Sequence, residues 1–294
     1  MGFIAPLDKT HLREPKQTRQ WIAFQYHRTL SQTLPIYLKK CRARRATSGS
    51  FSSIIAVPSQ KPTMPDAANL STIRKQALAE LSKWCRELEP LLQPELGPEQ
   101  TLATLSELPS ELERLLVLMP DPGWRASQMR SFSMGGAIYI AIYLVLHRRG
   151  KTAAQVWPIC EQATRNRFAR MPALSQKLMS WALFSTLWKL LTAYLAGRSQ
   201  NAAVGGWKLA YLPKQPGQFD YGVTYHRCAI FQLAKDVGAT EFAPFICQAD
   251  IVGSDVFGWG LQRTETLAQG GKCCDFRFRK GQRTEVTSKL PIIS

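Results

Sequence analysis

The sequence has only four histidines, and nowhere does it place a His-x-x-x-His or a Cys-x-x-Cys pair. That removes the short-spaced anchors of zinc ribbons, zinc hydrolases and thioredoxin-like redox sites. Its seven cysteines are odd in number and widely scattered, which is not the arithmetic of a disulfide framework and points to a reducing compartment. Long apolar runs are also missing. The longest, residues 134–146 (MGGAIYIAIYLVL), is too short for a membrane span and suits a buried helix. The apolar stretch 174–195 is interrupted by Lys177 and Lys189. No internal repeat and no nucleic-acid-binding motif is found, so neither a membrane nor a specific nucleic acid is expected as a partner.

Acids are scarce too, 21 against 38 Lys and Arg, and the imbalance is uneven. Residues 1–61 hold eleven cations and two acids, Asp8 and Glu14, while residues 62–294 hold twenty-seven and nineteen. The charge therefore describes a basic tail attached to a moderately basic domain suited to an anionic substrate. Residues 1–63 read as a disordered extension, similar in composition to an organelle transit peptide. Met64 followed by good helix pattern equally suits a later start. Cytoplasmic location is expected, with organelle import the alternative if the tail is a transit peptide.

What remains, 45% hydrophobic with eight Trp, thirteen Phe and eight Tyr, is enough for one sizeable core. Residues 64–294 read as a single α+β domain: helices over 69–197, then a small antiparallel sheet within 207–280. Leu70, Ile73, Ala77, Leu81, Trp84 and Leu88 recur at helical spacing, and Pro90, Pro94, Gly97 and Pro98 are expected to end that helix. Ser110 is expected to cap a second helix over 109–119. Residues 127–149 form a third, stopped at Gly150. Thr152 caps the next, over 153–166, and 174–196 forms one more. Strand patterns follow at 207–212, 218–225, 261–268 and 274–280, with a short helix at 228–237 and a hairpin signal at 269–273.

The chemistry-bearing residues cluster in the last third: Cys228, the pair Cys247 and Asp250, then Cys274 and Asp275. Cys228 follows a strand and opens a helix, where a thiol is activated as a nucleophile. Cys247 and Asp250 share a face if their segment is helical. On a strand, Cys274 and Asp275 face opposite ways. His226 is a candidate assisting base. Cys228, Cys247 and Cys274 with Asp250 also supply donors enough for tetrahedral zinc, but no close ligand pair anchors an ion, and no cofactor is expected. A third reading is a non-catalytic binding module in which Phe219, Tyr221, Tyr225 and Trp259 line an apolar pocket.

Three blocks in fixed order, residues 219–228 (FDYGVTYHRC), 245–250 (FICQAD) and 264–278 (TETLAQGGKCCDFRF), resemble the L-2-amino-thiazoline-4-carboxylic acid hydrolase family. A weaker likeness covers 137–144 and 150–154. Of the doubled Cys273 and Cys274, the second matches, because Asp275 and Phe276 follow it. The resemblance implies a hydrolase that adds water to the amidine-like carbon of a small thiazoline ring, acting on a carbon–nitrogen bond. Asp250 or Asp275 would supply acid and base, Cys228 would attack directly, and Arg227, Arg263, Thr264 and Tyr225 would hold an anionic, sulfur- or nitrogen-containing substrate. The oligomeric state is not set by the sequence.

Overall fold

The computed structural model describes residues 67–122, 126–201 and 203–287, all within one unit, Val57–Ser294. The expected basic extension, residues 1–63, lies outside them.

Leu81, Leu88, Leu92, Leu108, Leu112 and Leu115 are almost fully buried, and their spacing builds the first element, the long helical segment α1 (Ala67–Leu118). It continues through Pro90 and Pro94 and breaks only at Gly97, whose φ of 75° and ψ of 166° lie in a region essentially only glycine adopts. Pro98 then restarts it. The expected cap at Ser110 is not formed: its hydroxyl donates to the Glu107 carbonyl inside a continuing helix. The buried leucines on both sides of Pro109 outweigh the local break signal.

The apolar run becomes α2 (Ser127–His147), with thirteen buried residues. It is the one described helix long and apolar enough to cross a membrane, and 72% of its most apolar window is buried inside the fold, as a core helix requires. Thr152 and Gln155 form a reciprocal capping box at the start of α3 (Ala153–Ala169). The single helix expected over 174–196 is instead two, α4 (Ala173–Phe184) and α5 (Thr186–Ser199). The break is Ser185, extended at ψ 150°, whose hydroxyl oxygen accepts from the Trp188 N–H and caps α5.

After α5 come β1 (Lys208–Leu212), β2 (Tyr221–Arg227), α6 (Ala229–Asp236), α7 (Ala243–Ile246), α8 (Ala249–Phe257), β3 (Leu261–Arg263), β4 (Cys274–Phe278) and β5 (Glu285–Val286). The sheet order is β1-β2-β4-β3-β5. The fold is α+β as expected, but the sheet is mixed: β5 runs parallel to β3, while the other pairs are antiparallel. The strand expected over 261–268 stops at Arg263, since Leu267–Gln269 forms a 3-10 turn before β4. Tyr221, Val223 and Tyr225 on β2 stand opposite Phe278, Phe276 and Cys274 on β4, giving one apolar face. The helices α1, α2, α3, α6 and α7 share one core cluster, and β1, β2 and the end of α5 share a second.

Candidate active site

Position along the strands decides which side chains meet. Tyr225 and Cys274 are cross-strand partners on the apolar sheet face. One residue on, Thr224 and Asp275 are partners on the opposite face. The Cys274 thiol accepts the Leu267 N–H at 3.2 Å. Cys273 lies off the strand and donates to Glu265 Oε1 at 3.1 Å, so Cys274 is the cysteine that belongs to this face.

Three residues beyond Tyr225 the chain turns into α6, and Cys228 is its N-cap, with its sulfur accepting from the Phe231 N–H at 3.4 Å. That helix sits close to α2 because residue 136 is glycine: a Cβ there would lie 2.4 Å from the Ile230 side chain. Cys247 ends α7, and Asp250 stands in the first turn of α8. Arg263 reaches across from β3. Its Nη1 donates to the Cys247 carbonyl at 2.9 Å and to Asp250 Oδ2 at 3.1 Å, and its guanidinium carbon lies 5.3 Å from the centre of the Phe276 ring. The arginine is 1% exposed, and its Nε and Nη2 are buried without a partner among the described residues.

Cys228, Cys247, Cys274, Asp250 and Tyr225 are near enough to perturb one another electrostatically. Surface and surroundings pull in opposite directions for Asp250: its side chain keeps 46% of its area accessible, yet burial dominates its ionisation. Burial pushes the Asp250 carboxyl up to about 6, against the charge and hydrogen bond of Arg263, which pull it down. Burial pushes the Cys228 thiol up to about 12, and the N–H groups at the start of α6 only partly offset it. Cys274 rises to about 11 for the same reason, and Cys247 is also pushed well up by burial and by the nearby Asp250. The thiol activation expected of a helix start is present at Cys228 and is outweighed. Burial likewise raises the Tyr225 phenol.

The structure keeps four of the sequence candidates apart from this cluster. Asp275, on the other sheet face, accepts the N–H groups of Thr264 and Glu265 and the Thr264 hydroxyl at 2.6–2.9 Å. Partial burial would raise its carboxyl, but these bonds together hold it below the usual range. Thr264 is thereby committed to Asp275. His226 and Arg227 end β2 with exposed side chains. Of the aromatics, Tyr221 is core, stacked 5.0 Å from Phe278, and Trp259 stacks on Phe257. Among the described residues no group of three or more His, Cys, Asp or Glu side chains stands in metal-ligating geometry.

One buried phenol of the neighbouring helical core escapes sequence reasoning. Tyr139, in the middle of α2, is 7% exposed and lies within electrostatic reach of Asp250. Its hydroxyl bonds Thr164 Oγ1 at 2.6 Å, and Thr164 donates on to the Cys160 carbonyl. The available signal was a phenol inside an otherwise aliphatic run.

A family model described as L-2-amino-thiazoline-4-carboxylic acid hydrolase matches residues 131–278, half of the 294-residue chain. The match contains Tyr139, Tyr225, Cys228, Cys247, Asp250, Arg263 and Cys274. No curated protein and no solved structure matches the chain.

Proposed function

We propose that this chain, which belongs to the L-2-amino-thiazoline-4-carboxylic acid hydrolase family, hydrolyses a small ring containing an amidine-like carbon, with Asp250 as its acid and base. The observation that carries the reading is the Asp250 carboxyl. It is held by a buried arginine, set among three thiols and two phenols, and poised at about 6, where proton donation and acceptance near neutral pH are both accessible.

In the proposed reaction, water adds to the carbon flanked by nitrogen and sulfur. Asp250 takes the water proton as the carbon–oxygen bond forms. The ring nitrogen, protonated from solvent, keeps its proton as its double bond to that carbon becomes single; the adduct then collapses to a carbonyl with its hydroxyl proton released to solvent, the carbon–sulfur bond breaks, the proton on Asp250 passes to the leaving sulfur, and the ring opens without any redox change. Arg263 acts through Asp250: with Nη1 spanning the Cys247 carbonyl and the carboxylate, it fixes the orientation of the carboxyl and keeps its ionised form available. Cys228, Cys247 and Cys274, held as neutral thiols, line the site and exclude bulk water, and the Tyr225 phenol is available as a hydrogen-bond donor to the substrate. Desolvation strengthens each of these interactions. The six described cysteines are all unpaired, which supports a reducing, cytoplasmic setting.

The test is incubation of purified protein with 2-amino-thiazoline-4-carboxylate and related cyclic amidines, read by liquid chromatography and mass spectrometry for a product heavier by one water. Turnover lowered about 10²-fold or more in Asp250→Asn supports the proposal. Binding without turnover across the panel would favour a non-catalytic module.

A further inference from the structure

The helical pair α4 and α5 leaves an apolar surface uncovered. Of the nine large hydrophobic residues exposed among the described residues, five lie here: Leu174, Leu178, Met179 and Trp181 on α4, and Leu190 on α5. Leu174 is 69% exposed and Trp181 61%. Leu174, Leu178 and Trp181 follow one another at i, i+4 and i+7, on one helix face. The sole buried residue of α4 is Ala182. A mostly apolar helix that buries one residue in its own fold is presenting its face to something else.

The charge around it selects what. Between Glu161 and Asp220 the chain runs 58 residues with eight Lys and Arg and no Asp or Glu; Arg165, Arg167, Arg170 and Lys214 pair with acids from outside that run, and the cations of α4 and α5 themselves are Lys177, Lys189 and Arg198. Within the helical pair, Lys177 is exposed, while Lys189 and Arg198 rest on the rings of Tyr221 and Tyr194. Neither helix carries an acid, so a second copy docking through this face would bring Lys177 against a like-charged surface with no carboxylate on either helix pair. An anionic bilayer offers apolar depth and negative headgroups together, and Leu and Trp beside Lys is the composition of a helix lying in that interface. Free cysteines suit a reducing compartment, and the leaflet facing the cytoplasm is the anionic one.

We propose that α4 and α5 seat this protein peripherally on an anionic lipid surface, with Leu174, Leu178 and Trp181 entering the headgroup boundary. The contact is interfacial. The 12 residues of α4 span about 18 Å at 1.5 Å per residue, short of a hydrocarbon core of about 30 Å. It departs from the sequence reading, in which no membrane partner was expected because no span exists. It is also independent of the proposed hydrolysis, though α4 packs on α8, the helix that carries Asp250.

The experiment is flotation of the full chain with vesicles of phosphatidylcholine alone and of phosphatidylcholine mixed with phosphatidylglycerol. Wild type is expected to float with the mixed vesicles and to leave the neutral ones largely unbound. Because the basic residues 1–61 alone would give salt-sensitive attachment, the deciding comparison is the triple variant Leu174→Ser, Leu178→Ser, Trp181→Ser. It is expected to bind about tenfold or more weakly with unchanged circular dichroism and melting temperature, since these side chains are exposed. Leu190→Ser alone serves as the milder variant should the triple one melt early, and it is expected to weaken binding measurably. Equal binding by wild type and variants would overturn the proposal. So would a wild-type dimer, seen by light scattering, that the same substitutions dissociate, because it would give this face to a second copy.

Discussion

Arg263 Nη1 donates at once to the Cys247 carbonyl and to Asp250 Oδ2, 2.9 and 3.1 Å away, and so ties the end of α7, the start of α8 and the end of β3 to one buried charge. Much of what the site is expected to do follows from that bond.

Removing the cation frees the Asp250 carboxyl from its only named restraint against burial. In Arg263→Met the carboxyl is expected to titrate about one unit or more above its present position near 6. Carbon-13 NMR of labelled aspartate reads this directly. The acidic limb of the pH–rate profile should move up with it. An unmoved titration would show that Arg263 does not set the ionisation of Asp250.

Asp250→Asn is expected to lower turnover by about 10²-fold or more and to abolish the limb near pH 6. It also has a signature in stability. The folded carboxyl is raised to about 6, above an unfolded value near 3.9. Its stabilising contribution is therefore fully present below about 3.9 and lost as pH rises through 6. Melting temperature measured from pH 5 to pH 7 should fall less steeply in the asparagine variant than in wild type. Parallel curves would show that the carboxyl is not shifted.

Cys228 tests the role of the thiols. With its thiol pushed up to about 12, little thiolate exists at neutral pH, and iodoacetamide is expected to label it no faster than a free cysteine in solution. Cys228→Ser should retain turnover to within about tenfold, because a neutral hydroxyl replaces a neutral thiol. Rapid labelling, with loss of nearly all activity in a folded serine variant, would restore direct attack by Cys228.

Asp275 is expected to matter for stability before chemistry. Asp275→Ala removes the acceptor of three hydrogen bonds from Thr264 and Glu265 and should cost about 2–3 kcal/mol in urea unfolding. Because the folded carboxyl is held low, its contribution is present above an unfolded value near 3.9 and is lost as pH falls through the folded one. The difference between wild type and variant should shrink toward acid. A variant as stable as wild type at neutral pH, but inactive, would return Asp275 to the catalytic group.

The sequence by itself determined the helical layer and the order of the blocks that hold the candidate site. Leu81, Trp84 and Leu88 carry their helical period in the order of the residues, Thr152 and Gln155 cap within one turn, and the blocks holding Cys228, Cys247, Asp250 and Cys274 stand in recognisable order. Such signals are local, and physics acting within a few residues is legible from a few residues. Strand alternation already set Cys274 and Asp275 on opposite faces. Only the tertiary structure decided which residues stand beside Cys274, because that depends on β2 pairing with β4 across some fifty residues of chain. It also decided that β5 runs parallel to β3, a two-residue strand with too little pattern to announce itself, and that α4 and α5 part at Ser185. Above all, it decided the ionisation of the site. The sequence places Cys228 at a helix start, which lowers a thiol, and Arg263 among exposed-type residues. Burial, a property of everything packed around them, reverses the first and encloses the second, and no local spacing records how much of the chain will fold over a given side chain.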